Sequence, residues 1–378
     1  MTERLYYNDG YLREFRARVT RSEDGGRRVY LDRTAFYPSS GGQPFDLGTL
    51  GGIRVVEVAD EVERIAHLLE APLPAGEVEG AIDWPRRYDH MQQHTGQHLL
   101  SAVFEELYQI RTLSFHMGAQ TSTIDLSAAA IDPSQVEQVE QRCAEIVAEA
   151  HPVTISYEDA GAAAGLRKES QRSGTLRIVS IEGVDRSACG GTHVRSTAEL
   201  GPILIRKIEK IRGNLRVEFV CGLRALRQAR ADYRALSAIA RTLSAPLERA
   251  PELVASQSEH LKHLEKTAHR LGIELATREG RELHASGQRR VTQRGPIDEA
   301  MRARAQAFVA GGGAVFLAVS DDPPAVLLAV SPDAGVNAGE RVKAAVTAVG
   351  GRGGGNPGMA QGSAPSAEAL KQVLEQLS

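Results

Sequence analysis

Three histidines, His90, His94 and His98, recur every fourth residue in the stretch Asp89 to Tyr108. On a helix, neighbours at that interval share a face and lie about 6 Å apart along the axis, so one metal ion can take two adjacent imidazoles. It can hardly take His90 and His98 together, whose backbones would be about 12 Å apart. The spacing admits His90/His94 or His94/His98 and does not choose between them. A second pair lies in Cys189-Gly190-Gly191-Thr192-His193, where two glycines let the backbone fold tightly between a thiolate and an imidazole. Sulfur with nitrogen favours Zn2+ over magnesium or calcium. Taken singly, each pair has a plainer reading, surface histidines or a buried small cysteine. Both in one α+β stretch point to a zinc site. The third element is Thr34-Ala35-Phe36-Tyr37-Pro38-Ser39-Ser40-Gly41-Gly42-Gln43-Pro44. Here Gly41 and Gly42 permit close backbone approach to a substrate, and the Gln43 amide can orient a water. Alone, Pro-Ser-Ser-Gly-Gly reads as a hairpin loop.

The elements that must position these groups follow from periodicity. Alternating runs at Phe15 to Thr20, Arg28 to Asp32 and Ile53 to Val58, separated by turn residues, predict a small antiparallel sheet or barrel. The pattern shifts at Trp84-Pro85, and Asp89 to Tyr108 carries a helical period with Leu99, Leu100, Val103, Phe104 and Leu107 on one face. Leu113 to Leu126 alternates like a strand, Pro133 to Ala150 is an amphipathic helix, and Val153 to Tyr157 and Leu176 to Ile181 read as strands. From Leu223 to Leu275, with a break at Pro246 and Pro251, the seam Val254, Gln257, Leu261, Leu264, Ala268, Leu271 and Leu275 predicts two antiparallel, coiled-coil-like helices. Beyond Ser286 come a helix from Ile297 to Val309, strands from Ala314 to Ser320 and Ala325 to Val330, and a helix from Ala338 to Val349. The glycine-rich segment Gly350 to Gly362 follows. The fold class is α+β in four parts: a β-barrel-like subdomain at 1–88, a zinc-binding α+β domain at 89–221, a helical hairpin at 222–284 and an α/β domain at 285–378.

Composition bounds the function. The 378 residues hold 45 basic and 48 acidic side chains, so a nucleic-acid partner must be met by a local basic surface. Cys143, Cys189 and Cys221 are too few for a disulfide framework and suit a reducing compartment. No run of about 18 apolar residues and no signal-peptide pattern occurs, which leads us to expect a cytoplasmic protein without a membrane partner.

The motifs His94 to Leu100 (HTGQHLL), Ser187 to Val194 (SACGGTHV) and Thr34 to Pro44 together resemble the alanyl-tRNA editing proteins, relatives of the editing domain of alanyl-tRNA synthetase. Leu176 to His193 and Arg216-Val217-Glu218-Phe219 extend the likeness, and GGRGGGNPGMAQG resembles the C-terminal DHHA1 domain of the synthetase, so the long form of the family is matched. The resemblance implies the ligand set His94, His98, Cys189 and His193, makes His90 a neighbour, names Thr34 as reader of a serine hydroxyl and places His116 beside the site. One departure is Ser39, where many members carry a glutamate, so no carboxylate base is assigned there.

The implied activity is hydrolysis of the ester on tRNA(Ala) mischarged with serine or glycine. A pocket built for alanine cannot strongly reject a side chain lacking a methyl or adding a hydroxyl, so a second site must remove the product. Four protein ligands suit a closed zinc site, which positions the terminal adenosine and aminoacyl group while a water oriented by Gln43 or nearby backbone attacks. In the tail, Arg352, Gly353, Gly354 and Gly355 would grip tRNA through consecutive N–H groups and a guanidinium. Two copies could pair through the hairpin or the C-terminal domain. Two other readings compete: a phosphoesterase with a DHHA1-like tail, whose Asp-His-His tripeptide is missing here, and a non-catalytic tRNA binder with a structural zinc.

Overall fold

The computed structural model describes residues 1–168 and 173–377, which form two compact units, Met1–Ala238 and Ile239–Ser378. In the first, the alternating runs close into a six-stranded antiparallel barrel, in the order Glu14–Glu23, Arg28–Leu31, Ile65–Leu69, Ile53–Asp60, Gly48–Leu50 and Glu77–Ile82. Its interior is filled by Val29, Leu31, Phe36, Leu50, Val55 and Ile65, the inward half of each alternation.

Helix α1 spans Trp84–Tyr108, starting upstream of the expected Asp89 because Asp83 caps it by accepting from the Arg86 N–H and Pro85 occupies its first turn. Almost every residue from His90 to Phe104 is buried, although the run Gln92-Gln93-His94-Thr95-Gly96-Gln97-His98 is polar. Such burial is stable only if the polar groups are partnered. Gln92 donates to the Glu199 carbonyl at 2.6 Å, Gln93 exchanges two hydrogen bonds with the Cys221 backbone, and Gln97 donates to Ser101. On its apolar side Leu99, Leu100, Val103 and Phe104 pack with Val217 and Phe219.

The stretch Leu113 to Leu126 is a hairpin rather than one strand: Thr112–Met117 pairs antiparallel with Ser122–Leu126, since Gly118 and its neighbours turn the chain. These join Asn214–Cys221 and Ile203–Ile211 in a four-stranded sheet. Helix α2, Pro133–Glu149, begins with a capping box between Asp132 and Gln135. A three-stranded antiparallel sheet, Val153–Asp159, Thr175–Ile181 and Asp185–Ala188, leads into the Cys189 turn. Helix α3, Gly222–Thr242, is tied back to α1 by Arg224, whose guanidinium donates to Asp89 and to the Gly118 carbonyl.

In the second unit, helix α4 runs from Ala250 to Ala285, beyond the expected end at Leu275, and packs on helix α5, Glu299–Val309. Its seam residues Val254, Leu261, Leu264, Leu271 and Leu275 are exposed. A five-stranded sheet follows, in the order Arg290–Arg294, Val315–Asp321, Pro324–Val330, Met359–Ser363 and Arg352–Gly355. Residues alternate between its faces: Phe316 and Ala318 meet α5, while Leu317 and Val319 meet helices α6, Ala338–Ala348, and α7, Ala367–Leu377. Coverage on both sides explains the continuous apolar runs. Among the described residues no helix is long and apolar enough to cross a membrane.

Candidate metal centre

The ligating atoms of His94, His98, Cys189 and His193 all lie within 4.8 Å of one another. Helix α1 presents His94 and His98 one turn apart, and the turn after Asp185–Ala188 carries Cys189 and His193 across from them. Cys189 Sγ is 3.3 Å from Nε2 of both His94 and His193. Metal–ligand bonds of about 2.0 to 2.3 Å in a tetrahedron separate the ligands by about 3.3 to 3.8 Å, a range that the two Sγ–Nε2 distances of 3.3 Å meet. The turn needs glycine at 191, where a Cβ would sit 2.1 Å from His94 Cε1.

Each imidazole is held from behind. Nδ1 of His94 donates to Gln43 Oε1 at 2.8 Å, Nδ1 of His98 donates to Asp185 Oδ2 at 2.8 Å, and Nδ1 of His193 meets Thr95 Oγ1 at 3.0 Å. With Nδ1 engaged, Nε2 of each ring is left to ligate, the arrangement that orients histidines at metal sites. Asp185 is itself held by Arg167 at 2.6 Å and by the Ser187 hydroxyl. Charge follows the same design. Burial opposes ionisation of Cys189, yet His94 and His193 hold its thiol well below the usual range. Burial also opposes a charge on His98, but Asp185 and Cys189 raise it to about 9. His193 is pushed down to about 3 by burial. Asp185, despite burial, is held down to about 2 by His98 and Arg167.

His90 stands apart from the cluster. It is buried, pushed down to about 3 by desolvation and by Arg86, Arg224 and Arg87, and its Nδ1 has no hydrogen-bond partner among the described residues. The tertiary fold therefore brings together His94/His98, the choice that spacing left open.

The loop that enters from the barrel is a tight turn: Ser40 and Gln43 exchange backbone hydrogen bonds of 3.0 and 2.9 Å around Gly41 and Gly42, at φ of 55° and 83°. Positive φ at both central positions makes glycine the fitting residue. The loop is clamped to α1 by the buried pair of Arg87 and Asp46, in which Arg87 also donates to the Gly10 and Ala35 carbonyls and Asp46 accepts from the Tyr37 N–H.

The structure gives three of the expected site groups the following surroundings. Gln43 is tied to the cluster: Oε1 accepts from His94 Nδ1 and the Thr192 N–H, while Nε2 donates to Thr192 Oγ1. Thr34 does not reach the cavity; it lies inside the barrel with Oγ1 2.8 Å from His67 Nε2 and accepting from the Phe36 N–H. Burial pushes His67 down to about 4, so the ring is neutral, and with Nδ1 toward the Val29 carbonyl its Nε2 accepts the Thr34 proton. In the tail, Arg352–Gly355 is an exposed edge strand, in which alternate rather than consecutive N–H groups face the same side. Gly353 and Gly355 are glycines because a Cβ there would meet the paired strand at 2.7 Å and 2.3 Å respectively.

His94, His98 and Cys189 form the floor of a cavity of about 750 Å³, walled by Tyr6, Tyr7, Tyr37, Gly41, Gln97, Phe115 and Arg177. Phe115 stacks on His94 with ring centroids 5.4 Å apart; its neighbour His116 is exposed and does not line the cavity. Asp185, Thr95, Asp46 and Arg87 carry no motif of their own. Asking what holds each Nδ1 is the signal that would have found the first two.

Comparison with known proteins follows the same division. Residues 176–217 match the model of the threonyl and alanyl tRNA synthetase second additional domain, and residues 296–378 match the DHHA1 domain. The alanyl-tRNA editing protein AlaX-L of Pyrococcus horikoshii is 39% identical over 241 residues, 60% of this chain and 59% of that protein. The alanyl-tRNA editing protein Aarsd1 of Mus musculus is 31% identical over 388 residues, 95% of this chain and 93% of the mouse protein. Alanine–tRNA ligase of Pyrococcus abyssi is 31% identical over 406 residues, which span this whole chain and 43% of the ligase.

Proposed function

This chain belongs to the alanyl-tRNA editing proteins, and on that premise we propose that it deacylates tRNA(Ala) carrying serine or glycine. The observation that carries the reading is the cluster of three imidazoles and a thiolate beside a cavity, each imidazole oriented from behind. The donor set suits zinc, which when bound supplies a Lewis-acidic anchor for the oxygens of the terminal ribose and the aminoacyl group.

The chain's own residues do the positioning. Gln43, Asp185 and Thr95 hold the three rings so that Nε2 faces inward. Gly41 and Gly42 shape the rim the substrate meets, and Thr34 acts at one remove, fixing the strand from which that loop departs. Ser39 accepts from the Phe45 N–H, and the only carboxylate lining the cavity among the described residues, Asp60, is bound to Arg4. The site is thus built for orientation rather than for a carboxylate base, which is sufficient for an already activated ester. Exposed Arg352 with the edge strand Gly353–Gly355 supports a grip on the tRNA body, and the seam exposed on α4 supports pairing of two copies. The four segments 1–88, 89–221, 222–284 and 285–378 then divide the work into rim, metal centre, spacer and grip.

The test is deacylation of seryl-, glycyl- and alanyl-tRNA(Ala) by the purified chain, with and without a chelator. Loss of the first two esters, sparing of the third and abolition by the chelator are expected. Protection of all three esters would make the protein a binder.

A further inference from the structure

The cavity has an aromatic and cationic wall that the hydrolytic centre does not use. Strands Val153–Asp159 and Thr175–Ile181 place Tyr157 directly opposite Arg177. Arg177 donates from Nε to the Tyr7 carbonyl at 2.9 Å and from Nη1 to the Cys189 carbonyl at 2.6 Å, with its guanidinium 5.4 Å from the Tyr7 ring centroid. It thereby joins this wall to the turn that carries the thiolate. Tyr157 is fixed at its tip, where the hydroxyl donates to Asn8 Oδ1 at 2.9 Å, yet the residue is 49% exposed. His94 and His98 on the floor are 3% and 4% exposed, so the wall runs outward from floor to solvent.

Charge on this wall is positive. Arg4 is paired with Asp60 and Arg167 with Asp185, whereas Arg177, itself 9% exposed, donates among the described residues to the Tyr7 and Cys189 carbonyls. A half-exposed aromatic residue beside a guanidinium is how proteins hold single-stranded nucleic acid, by stacking a base and attracting the adjoining phosphate.

We propose that Tyr157, supported by Tyr7 and Arg177, is the stacking platform for an unpaired base next to the terminal nucleotide of the RNA 3′ end. This rests on the hydrolase reading, because the ester must lie over the cluster while the preceding nucleotides leave along the wall. Base-on-aromatic stacking of this kind corresponds to roughly 5- to 100-fold in affinity. The platform affects only substrates that extend past the terminal nucleoside.

The experiment compares kcat/KM of the full, metal-loaded chain for seryl-tRNA(Ala) and for 3′-O-seryl-adenosine, alongside titration of a short single-stranded RNA ending in CCA and labelled with 2-aminopurine. In Tyr157→Ala the ratio of the two kcat/KM values falls roughly 5- to 100-fold and the oligonucleotide weakens by a similar factor. Tyr157→Phe and Tyr157→Trp restore both. An unchanged ratio in Tyr157→Ala overturns the platform, as does a fall that Tyr157→Phe does not rescue, which would put the effect in the hydroxyl contact to Asn8. If the wild-type chain cleaves neither ester, the hydrolase reading fails and the oligonucleotide decides alone. Equal binding by wild type and Tyr157→Ala then overturns the platform as well.

Discussion

Helix α1 and helix α4 invert the usual relation between side-chain type and burial. In α1 the polar run from Gln92 to His98 is buried; in α4 the apolar residues Leu261, Leu264, Leu271 and Leu275 are exposed. Burying polar groups costs free energy unless each finds a partner, and in α1 partners come from several other segments: Gln43, Asp185, His193, Glu199 and Cys221. That concentration of satisfied polarity marks a site. The apolar seam of α4 has the opposite signature, a row of apolar side chains left exposed.

The largest effect expected from breaking this contrast is loss of the metal. Cys189→Ala or His94→Ala should lose most of about one zinc per chain, and deacylation with it, because such sites rarely tolerate loss of a ligand. His90→Ala, one turn away on the same helix, should keep the metal; elemental analysis of the three variants decides. Arg87→Ala leaves Asp46 charged and buried, and should cost about 3 to 5 kcal/mol in denaturant unfolding. A loss under about 1 kcal/mol would show that the loop is held elsewhere. Asp185→Asn keeps the shape behind His98 while removing the charge, and should weaken metal affinity by about 10- to 100-fold in chelator competition.

A smaller effect comes from pH. His67 is neutral when folded because burial lowers it to about 4 from 6.5, so the unfolded chain binds the proton first as pH falls. Its contribution is fully present above about pH 6.5 and lost as pH falls through 4, at up to about 1.4 kcal/mol per pH unit. Thermal melts between pH 7 and 4.5 should show a shallower acid slope in His67→Gln than in wild type, whatever the offset in Tm. The smallest effect belongs to α4, where Leu264→Gln should change the stability of the single chain by about 0.5 kcal/mol or less. The same change should lower the mass seen by sedimentation if two copies pair through the seam, and an unaltered mass would make the seam plain surface.

Sequence reasoning reached what local periodicity encodes. The two ligand pairs lie four residues apart, a distance that a helix turn or a tight glycine turn converts into proximity. The barrel strands, α1 and α2, and the two-faced sheet of the second unit were legible for the same reason, since alternation and helical period record which side of an element is covered. Which histidine pair is used was not legible, because it depends on where Cys189, far along the chain, comes to rest beside α1. The surroundings of Thr34 and Gln43 were not legible for a related reason: a hydroxyl or amide advertises its chemistry, but its partners, His67, His94 and Thr192, come from distant segments. The backbone form of the tail was not legible because glycine permits both a nest and a strand, and Met359–Ser363 lying alongside selects the strand. By itself, then, the sequence determined the donor types, their local pairing and the order of the elements. Tertiary structure alone decided which histidines meet Cys189, the orientation of their imidazoles and the wall of the cavity, because those depend on contacts between residues that chain connectivity does not bring together.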